Sequence, residues 1–300
     1  MQTPEPRIPH NDVLPAGITQ AKEAGKLAVF VGAGFPMSFG SWSWEQLAKG
    51  FIQKCFDVQL VNAREKANYL EILEKKQMAL IDMITFCFKK MTENKLENEI
   101  LELLSDSCKT NPALKGKMFE AYSELKRLGD YYLTTNYDLL FDPFFPSERI
   151  LYKQSIFCSL NGNEALERNT LYHIHGSLLE LSSVVLTNDH YVERYNNPNY
   201  RQFLKNILSN YTVLFVGHSV EDYIRNILRE SKKGGNKNNN FLLHRYFSDK
   251  YDFYSLDVAT FADCNVKVVS YLGDKQDYLE LFDIIKSWNS QICNMGLEIK

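Results

Sequence analysis

The chain has 300 residues, of which 45% are hydrophobic, and its formal net charge is -3 at pH 7. This length accommodates one large domain or two modest ones, and the nearly balanced charge excludes a general electrostatic attraction to nucleic acid or to an anionic membrane. The proline-rich start has no secretory signal pattern and no later apolar run is long enough to span a membrane, so we expect a cytoplasmic protein with a polar N-terminal arm over residues 1–18.

An apolar run, KLAVFVGAGF from Lys26 to Phe35, opens the predicted fold. It predicts a buried strand that ends at the turn Gly32-Ala33-Gly34. Glycines let the backbone turn sharply and present N–H groups to a phosphate beside the start of a helix. A tight strand-to-helix turn with nothing bound fits the same residues, so this motif alone leaves both interpretations open.

Helical spacing dominates the next hundred residues. In SWSWEQLAKGFIQKCF, apolar side chains from Trp44 to Cys55 recur on one helical face. Apolar residues continue at helical intervals over about 61–128, where no strand pattern interrupts them. We therefore predict a helical subdomain inserted after the first βα unit.

Five further segments have the pattern of strands. They are YYLTTNYD from Tyr131, LYHIHGSL from Leu171, SVVLTNDHY from Ser183, YTVLFVGHS from Tyr211 and NVKVVSYL from Asn265. Several are near-continuous apolar runs, which are typical of a parallel sheet covered on both faces. The sum predicts an α/β fold, a Rossmann-like, mostly parallel open sheet with an inserted helical subdomain. KKGGNKNNN, residues 232–240, is predicted to be a polar loop.

Polar side chains end the second of these strands. TTNYD places Thr135, Asn136 and Asp138 at the carboxyl edge of the sheet, where open α/β folds bind ligands. Asn136 offers both a donor and an acceptor, which suits a ribose hydroxyl or an attacking water. An Asx-turn, in which these side chains only cap the following segment, fits equally.

Two histidines, His173 and His175, stand two residues apart in HIHG. No third ligand lies at a suggestive spacing and the six cysteines form no C-x-x-C pair, so no metal site is predicted. His175 precedes a glycine at a strand end and is better placed as a general base, because the ordinary imidazole pKa lies near neutrality. A histidine satisfied by a backbone hydrogen bond describes His173 better.

A second glycine turn, VGHSVED, ends the strand that begins near Tyr211. Gly217 allows close backbone approach, and Ser219 and Asp222 have nearly the spacing of a capping box, which by itself explains much of the motif. Four motifs thus lie at carboxyl ends of predicted strands: GAG, TTNYD, HIHG and VGHS. None of them by itself is specific for one function.

In this order the four motifs resemble the sirtuin family, and more closely its bacterial branch of defence-associated NAD-consuming proteins than the protein deacetylases. The resemblance runs from about Gly25 to the final helix and implies that residues 19–300 form one NAD-binding catalytic domain, with its helical insertion at about 61–128. VLTNDHY also resembles a segment of the bacterial branch, which would place Tyr191 near the cleft.

The resemblance implies a role for each motif. The Gly-Ala-Gly turn would cradle the NAD pyrophosphate, the TTNYD residues would border the nicotinamide ribose, His175 would be the catalytic base, and the second glycine turn would contact the adenosine ribose. The implied catalytic residues are Asn136, His175 and Asp138, and the implied NAD-binding residues are Gly32, Ala33, Gly34, Phe35, Thr135, Gly217, Ser219 and Asp222.

Two departures from the sirtuin pattern bear on activity. Pro36 stands where sirtuins usually place a serine in G-A-G-x-S, which removes a hydroxyl that could help to bind NAD. The four zinc cysteines of the deacetylases are missing, and their G-I-P-D-F-R type loop is replaced by PMSFGSWSWEQL. We therefore expect hydrolysis of NAD+, as a substrate, to nicotinamide and ADP-ribose, without zinc.

Other functions fit the same pocket. One is protein deacylation or ADP-ribosylation, and another is a non-catalytic module that senses NAD or ADP-ribose. The resemblance further implies a role in anti-phage defence by NAD depletion, with activity held low until a homo-oligomeric contact, a partner protein or an attached domain activates it.

Overall fold

Parallel strands form one open sheet in the computed structural model, which describes residues 7–153, 157, 166–220, 222–233, 240–273 and 280–297. The strands are β1 (Leu27–Val31), β2 (Tyr131–Thr134), β3 (Ile150–Leu151), β4 (Leu171–His173), β5 (Thr212–Val216), β6 (Asn240–Tyr246) and β7 (Val266–Leu272). Their order is β3-β4-β2-β1-β5-β6-β7, and every pair of neighbours is parallel. The predicted Rossmann-like α/β fold is confirmed.

Helices connect these strands. They are α1 (Ala16–Glu23), α2 (Gly34–Met37), α3 (Trp44–Asp57), α4 (Ala63–Glu74), α5 (Leu80–Glu93), α6 (Glu97–Ser107), α7 (Lys115–Leu128), α8 (Asn188–Asn196), α9 (Pro198–Asn210), α10 (Asp222–Lys233), α11 (Tyr251–Ala262) and α12 (Glu280–Asn294). Among the described residues, no helix is both long and apolar enough to cross a membrane.

Four strand ends stand side by side at the carboxyl edge of the sheet. Val31 of β1 pairs with Thr134 of β2 and with Val216 of β5, and Thr134 pairs with His173 of β4. After β1, the chain adds β2, β3 and β4 on one side of it and then returns to add β5 on the other side. This reversal is the topological switch point, outside which open α/β sheets bind ligands.

The sheet is covered on both faces, as its apolar strands require. Leu27, Val29 and Val31 pack with α1, α7 and α12 in one buried cluster. Ala28 and Phe30 point the other way and pack with α8, α9 and α10 in a second cluster. The alternation along β1 therefore supplies both cores from one strand.

Helices α3 to α6 pack in a third hydrophobic cluster, which Val184 and Leu186 also join. A capping box begins α3, in which Ser43 Oγ accepts from the N–H of Gln46 and the Gln46 side chain accepts from the N–H of Ser43. Helix α7 instead joins the core under the sheet through Tyr122 and Leu125. The helices thus divide by packing into α3–α6 and α7, while the domain boundaries drawn from the sequence stay predictions.

One predicted strand is wrong. In SVVLTNDHY, residues 184–186 form no strand, and α8 begins at Asn188 because Thr187 caps it by accepting from the N–H of His190. The structure also adds β3 and β6, which were not predicted. Asn240, assigned to the polar loop, begins β6 and is buried, while residues 234–239 of that loop lie outside the described residues.

The part of the N-terminal arm that the structure describes packs against the C-terminal half of the chain. Asn11 donates through its side chain to the carbonyl of Ser270, and the N–H of Leu14 donates to Gln291 Oε1. Ile8 and Leu14 are buried. From residue 7 onward, the arm is therefore held by β7 and α12.

Candidate active site

A cavity of about 640 Å³ opens at the carboxyl edge of the sheet, a size typical of small-molecule sites. Most of the predicted site residues line it. They are Gly32, Ala33, Gly34, Thr135, Asn136, Asp138, His175, Gly217 and Ser219. The aligned strand ends thus bring all four motifs to one shared space.

Two of the predicted NAD-binding residues lie elsewhere. The Phe35 ring is buried in the core, edge-on to Tyr122 with 4.8 Å between ring centroids. Asp222 is exposed at the start of α10, where it pairs with Arg225. Neither is among the described residues that line the cavity, so their roles stay predictions that the geometry does not support.

The two glycine turns are packed against each other. A Cβ at Gly32 would lie 2.6 Å from the carbonyl oxygen of Gly217, and a Cβ at Gly34 would lie 2.8 Å from it. Gly217 itself has a φ of +60°, which favours glycine. Turn-to-turn packing therefore explains the glycines without a ligand.

The amides of the first turn are largely used within the protein. The N–H of Gly32 donates to Val216 O, that of Gly34 to Gly217 O, and that of Phe35 to Gly32 O. A phosphate at this turn would accordingly meet few available N–H donors. The turn therefore offers a phosphate fewer than three consecutive N–H groups.

All but one of the polar atoms of Asn136 are hydrogen-bonded. Its N–H donates to Thr134 Oγ1 at 2.9 Å, its carbonyl accepts from His173 Nδ1 at 2.9 Å, and its Nδ2 donates to Gly32 O at 3.3 Å. Its Oδ1 is buried and has no hydrogen-bond partner among the described residues. Asn136 therefore presents one fixed acceptor, and a buried acceptor of this kind favours a ligand O–H or N–H.

His173 has a supporting role. Besides the carbonyl of Asn136, its ring contacts Asp142, with 2.9 Å between Nε2 and Oδ1, and it is fully buried. It orients the loop that carries Asn136, in agreement with the interpretation of His173 as a histidine held by a backbone hydrogen bond.

Asp138 forms the Asx-turn that the sequence allowed. Its Oδ1 accepts from the N–H of Leu140 at 2.9 Å. Burial raises the pKa of Asp138 to about 6, against the opposing effect of that N–H. A carboxyl group that titrates close to neutrality at a cavity wall is a candidate for function as well as for turn formation.

His175 stands at the end of β4, and 2% of its surface is exposed. Its Nε2 lies 2.7 Å from Tyr195 Oη, a hydrogen-bond distance. Burial, Arg194 and His218 hold the pKa of His175 well below its ordinary value, so that the ring is neutral at pH 7. A neutral imidazole has a lone pair available to accept a proton.

Sequence reasoning missed His218, which also lines the cavity. Its Nδ1 accepts from the N–H of Val220 at 2.7 Å, which leaves the proton on Nε2, and Nε2 is buried with no partner among the described residues. Burial lowers the pKa of His218 to about 4.

Within the described residues no group of three or more His, Cys, Asp or Glu side chains could hold a metal ion.

Fold and site together define a Rossmann-like α/β protein with its ligand cavity at the topological switch point. Residues 130–267 match the SIR2-like domain family. The NAD(+) hydrolase ThsA of Enterococcus faecium is 28% identical over 304 residues, which cover 92% of this chain and 57% of that protein. The NAD(+) hydrolase ThsA of Cytobacillus dafuensis is 28% identical over 217 residues, which cover 70% of this chain and 39% of that protein.

These similarities confirm the resemblance that the four motifs carry. Residues 130–267 are similar to the SIR2-like domain family, and most of the chain is similar to the two ThsA proteins. It spans 57% and 39% of the lengths of the two ThsA proteins, so those proteins contain substantial sequence beyond the region that matches.

Proposed function

We propose that this chain is an NAD+ glycohydrolase, which cleaves NAD+ to nicotinamide and ADP-ribose. The observation that carries the proposal is the meeting of a fixed acceptor, Asn136 Oδ1, and a neutral imidazole, His175, in one cavity beside the Gly-Ala-Gly turn. The NAD(+) hydrolase names of the two ThsA relatives support it.

The nicotinamide leaving group needs little acid catalysis from the protein. The bond between ribose C1′ and the cationic nicotinamide nitrogen breaks, and its electron pair neutralises that nitrogen. Water forms the new bond to C1′ and loses a proton to His175, which then releases it to solvent. The protein must hold the ribose as positive charge develops and direct the water, which is catalysis by positioning and by a general base.

Asn136 and His175 divide this work. We assign Asn136 Oδ1 to accept a hydrogen bond from the water or from the ribose 2′-hydroxyl, because its other polar atoms are engaged. His175 accepts the proton. Asp138, on the same wall, either stabilises the positive charge or influences the position of Asn136 through their shared loop.

Incubation with NAD+ followed by mass analysis of the products tests the reaction. We expect free nicotinamide and free ADP-ribose in equal amounts. Loss of an acyl group from an acylated peptide, or transfer of label from NAD+ to protein, would instead favour deacylation or ADP-ribosylation. Binding in calorimetry without even the low basal release of nicotinamide that is expected before activation would identify a sensing module and contradict the proposal.

A pH profile tests the base. Because the pKa of His175 is lowered, we expect kcat to stay nearly constant between about pH 8 and about pH 6.5 and to fall only at lower pH, where His175 takes up a proton. The charged and titratable groups around it are Arg194, His218, Tyr195 and Tyr191. Asp138 has a pKa of about 6, so Asp138→Asn separates its titration from that of His175. A loss of rate already at pH 7 in both proteins would contradict the assignment.

We further propose that the activity serves anti-phage defence in the cytoplasm by NAD depletion, and that it is held low until a second copy, a partner protein or an attached domain orders the site. The greater length of the two ThsA proteins supports the attached domain. Full constitutive activity of the purified chain as a monomer would contradict this control.

A further inference from the structure

The last turn of α8 contacts the end of β4 at two adjacent residues. Tyr195 Oη lies 2.7 Å from His175 Nε2, and the guanidinium of Arg194 donates to the carbonyl of Ile174 at 2.6 Å and to the carbonyl of Ser183 at 3.2 Å. All of these side chains are buried. Helix α8 therefore holds both the backbone before His175 and the His175 ring.

Packing fixes the position of the Tyr195 hydroxyl. The Tyr195 ring stacks on Tyr223 with 4.7 Å between centroids and meets Tyr200 edge-on at 5.3 Å. Only 1% of its surface is exposed. A ring confined in this way cannot swing its hydroxyl away from His175 without repacking its neighbours.

This contact and the proposed role of His175 as a base together determine which ring nitrogen carries the proton. A neutral imidazole carries one N–H and one lone pair, and Nε2 is already engaged by Tyr195. If His175 accepts a proton from water, the lone pair must be on Nδ1, and the N–H must then be on Nε2, directed at Tyr195 Oη. The partner is a neutral hydroxyl and not a carboxylate, so it orients the ring without stabilising the imidazolium as an anion would.

We propose that Tyr195 is a positioning residue for His175, which accepts the N–H of Nε2 and thereby leaves Nδ1 as the atom that receives the proton of the attacking water. The proposal rests on the proposed hydrolase function. In the reaction, the proton lost by the water bonds to Nδ1. Nε2 keeps its own proton, which stays hydrogen-bonded to Tyr195 Oη, and solvent later takes the proton from Nδ1.

Tyr195→Phe tests the proposal, because it removes one hydroxyl and keeps the stacked ring. We expect kcat for nicotinamide release to fall about tenfold, the effect of losing one hydrogen bond that orients a reacting group, with KM near the wild-type value. Tyr223→Phe is the matched control, since it removes a hydroxyl from the same stack at an exposed position, and it should keep the wild-type kcat.

A second measurement does not depend on turnover. Nitrogen-15 spectra of histidine-labelled protein report which ring nitrogen carries the proton, and the His175 signals are identified by their loss in His175→Ala. We expect the proton of His175 on Nε2 in the wild type and a mixture of both tautomers in Tyr195→Phe. A proton found on Nδ1 in the wild type would overturn the proposal, even if Tyr195→Phe failed to fold.

The outcomes separate this proposal from the function on which it rests. Wild-type kcat and an unchanged pH profile in Tyr195→Phe, with His175→Ala inactive, would overturn the role of Tyr195 and leave NAD+ hydrolysis standing. Wild-type nicotinamide release in His175→Ala would instead show that His175 is not the catalytic base.

Discussion

Replacement of His175 by alanine is expected to lower kcat for nicotinamide release by about 10²- to 10⁴-fold, the contribution of a positioned general base. His175 lines the cavity that Asn136 and the first glycine turn also line, and it is held there by Tyr195. Substrate affinity should change little, because the lost interaction acts on the water and not on the bound nucleotide. Steady-state kinetics with NAD+ measure both quantities.

His10→Ala is the control for the loss of a histidine. His10 is exposed near the start of the chain, where its Nδ1 accepts from the N–H of Leu272, and it does not contribute to the cavity. This variant should retain wild-type kcat. If His175→Ala and Asn136→Ala both release nicotinamide at near the wild-type rate, the assignment of this cavity as the catalytic site is wrong.

The sheet edge that carries the site could be predicted from local sequence. Strands β1, β2 and β5 are buried on both faces, so nearly every position is apolar, and each run stops where a glycine or polar motif begins. Parallel strands place such endings at one edge. The cavity shared by Gly34, Asn136 and His175 follows from this regularity.

Helix α8 could not be predicted in the same way. The apolar residues 184–186 fit a strand, whereas the next residues form a helix that begins with the N-cap bond of Thr187 and packs through Tyr191 and Tyr195. Tyr191 and Tyr195 lie one turn apart on a helical face, whereas the same spacing in a strand would separate them by about 13 Å. The contact of Tyr195 with His175 therefore appears only in the folded structure.

His218 could not be predicted from the sequence for a different reason. It stands between Gly217 and Ser219, which the capping and turn patterns had already explained. Its tautomer is set by the N–H of Val220, whose φ is +49°, a backbone conformation that a β-branched residue rarely adopts. Such a conformation depends on tertiary packing and leaves no local sequence signal.

Gly32→Ala is expected to damage the site by moving its backbone. The new Cβ would lie 2.6 Å from the carbonyl oxygen of Gly217 and 2.7 Å from the Cα of His218, and both are backbone atoms that cannot rotate away. Overpacking of this kind costs about 1–3 kcal/mol of the free energy of unfolding. Denaturant unfolding measures this loss.

Gly116→Ala is the matched control, because a Cβ at Gly116 meets nothing within 4 Å and the residue lies in α7. Alanine is favoured over glycine in a helix by up to about 1 kcal/mol, so this variant should be as stable as the wild type or more stable, with unchanged activity. Gly32→Ala should lose activity beyond its loss of stability, because the carbonyl of Gly32 accepts from Asn136 Nδ2 and shifts with the turn. If Gly32→Ala remains as stable and as active as Gly116→Ala, the two glycine turns are not rigidly packed, and Asn136 is not positioned through them.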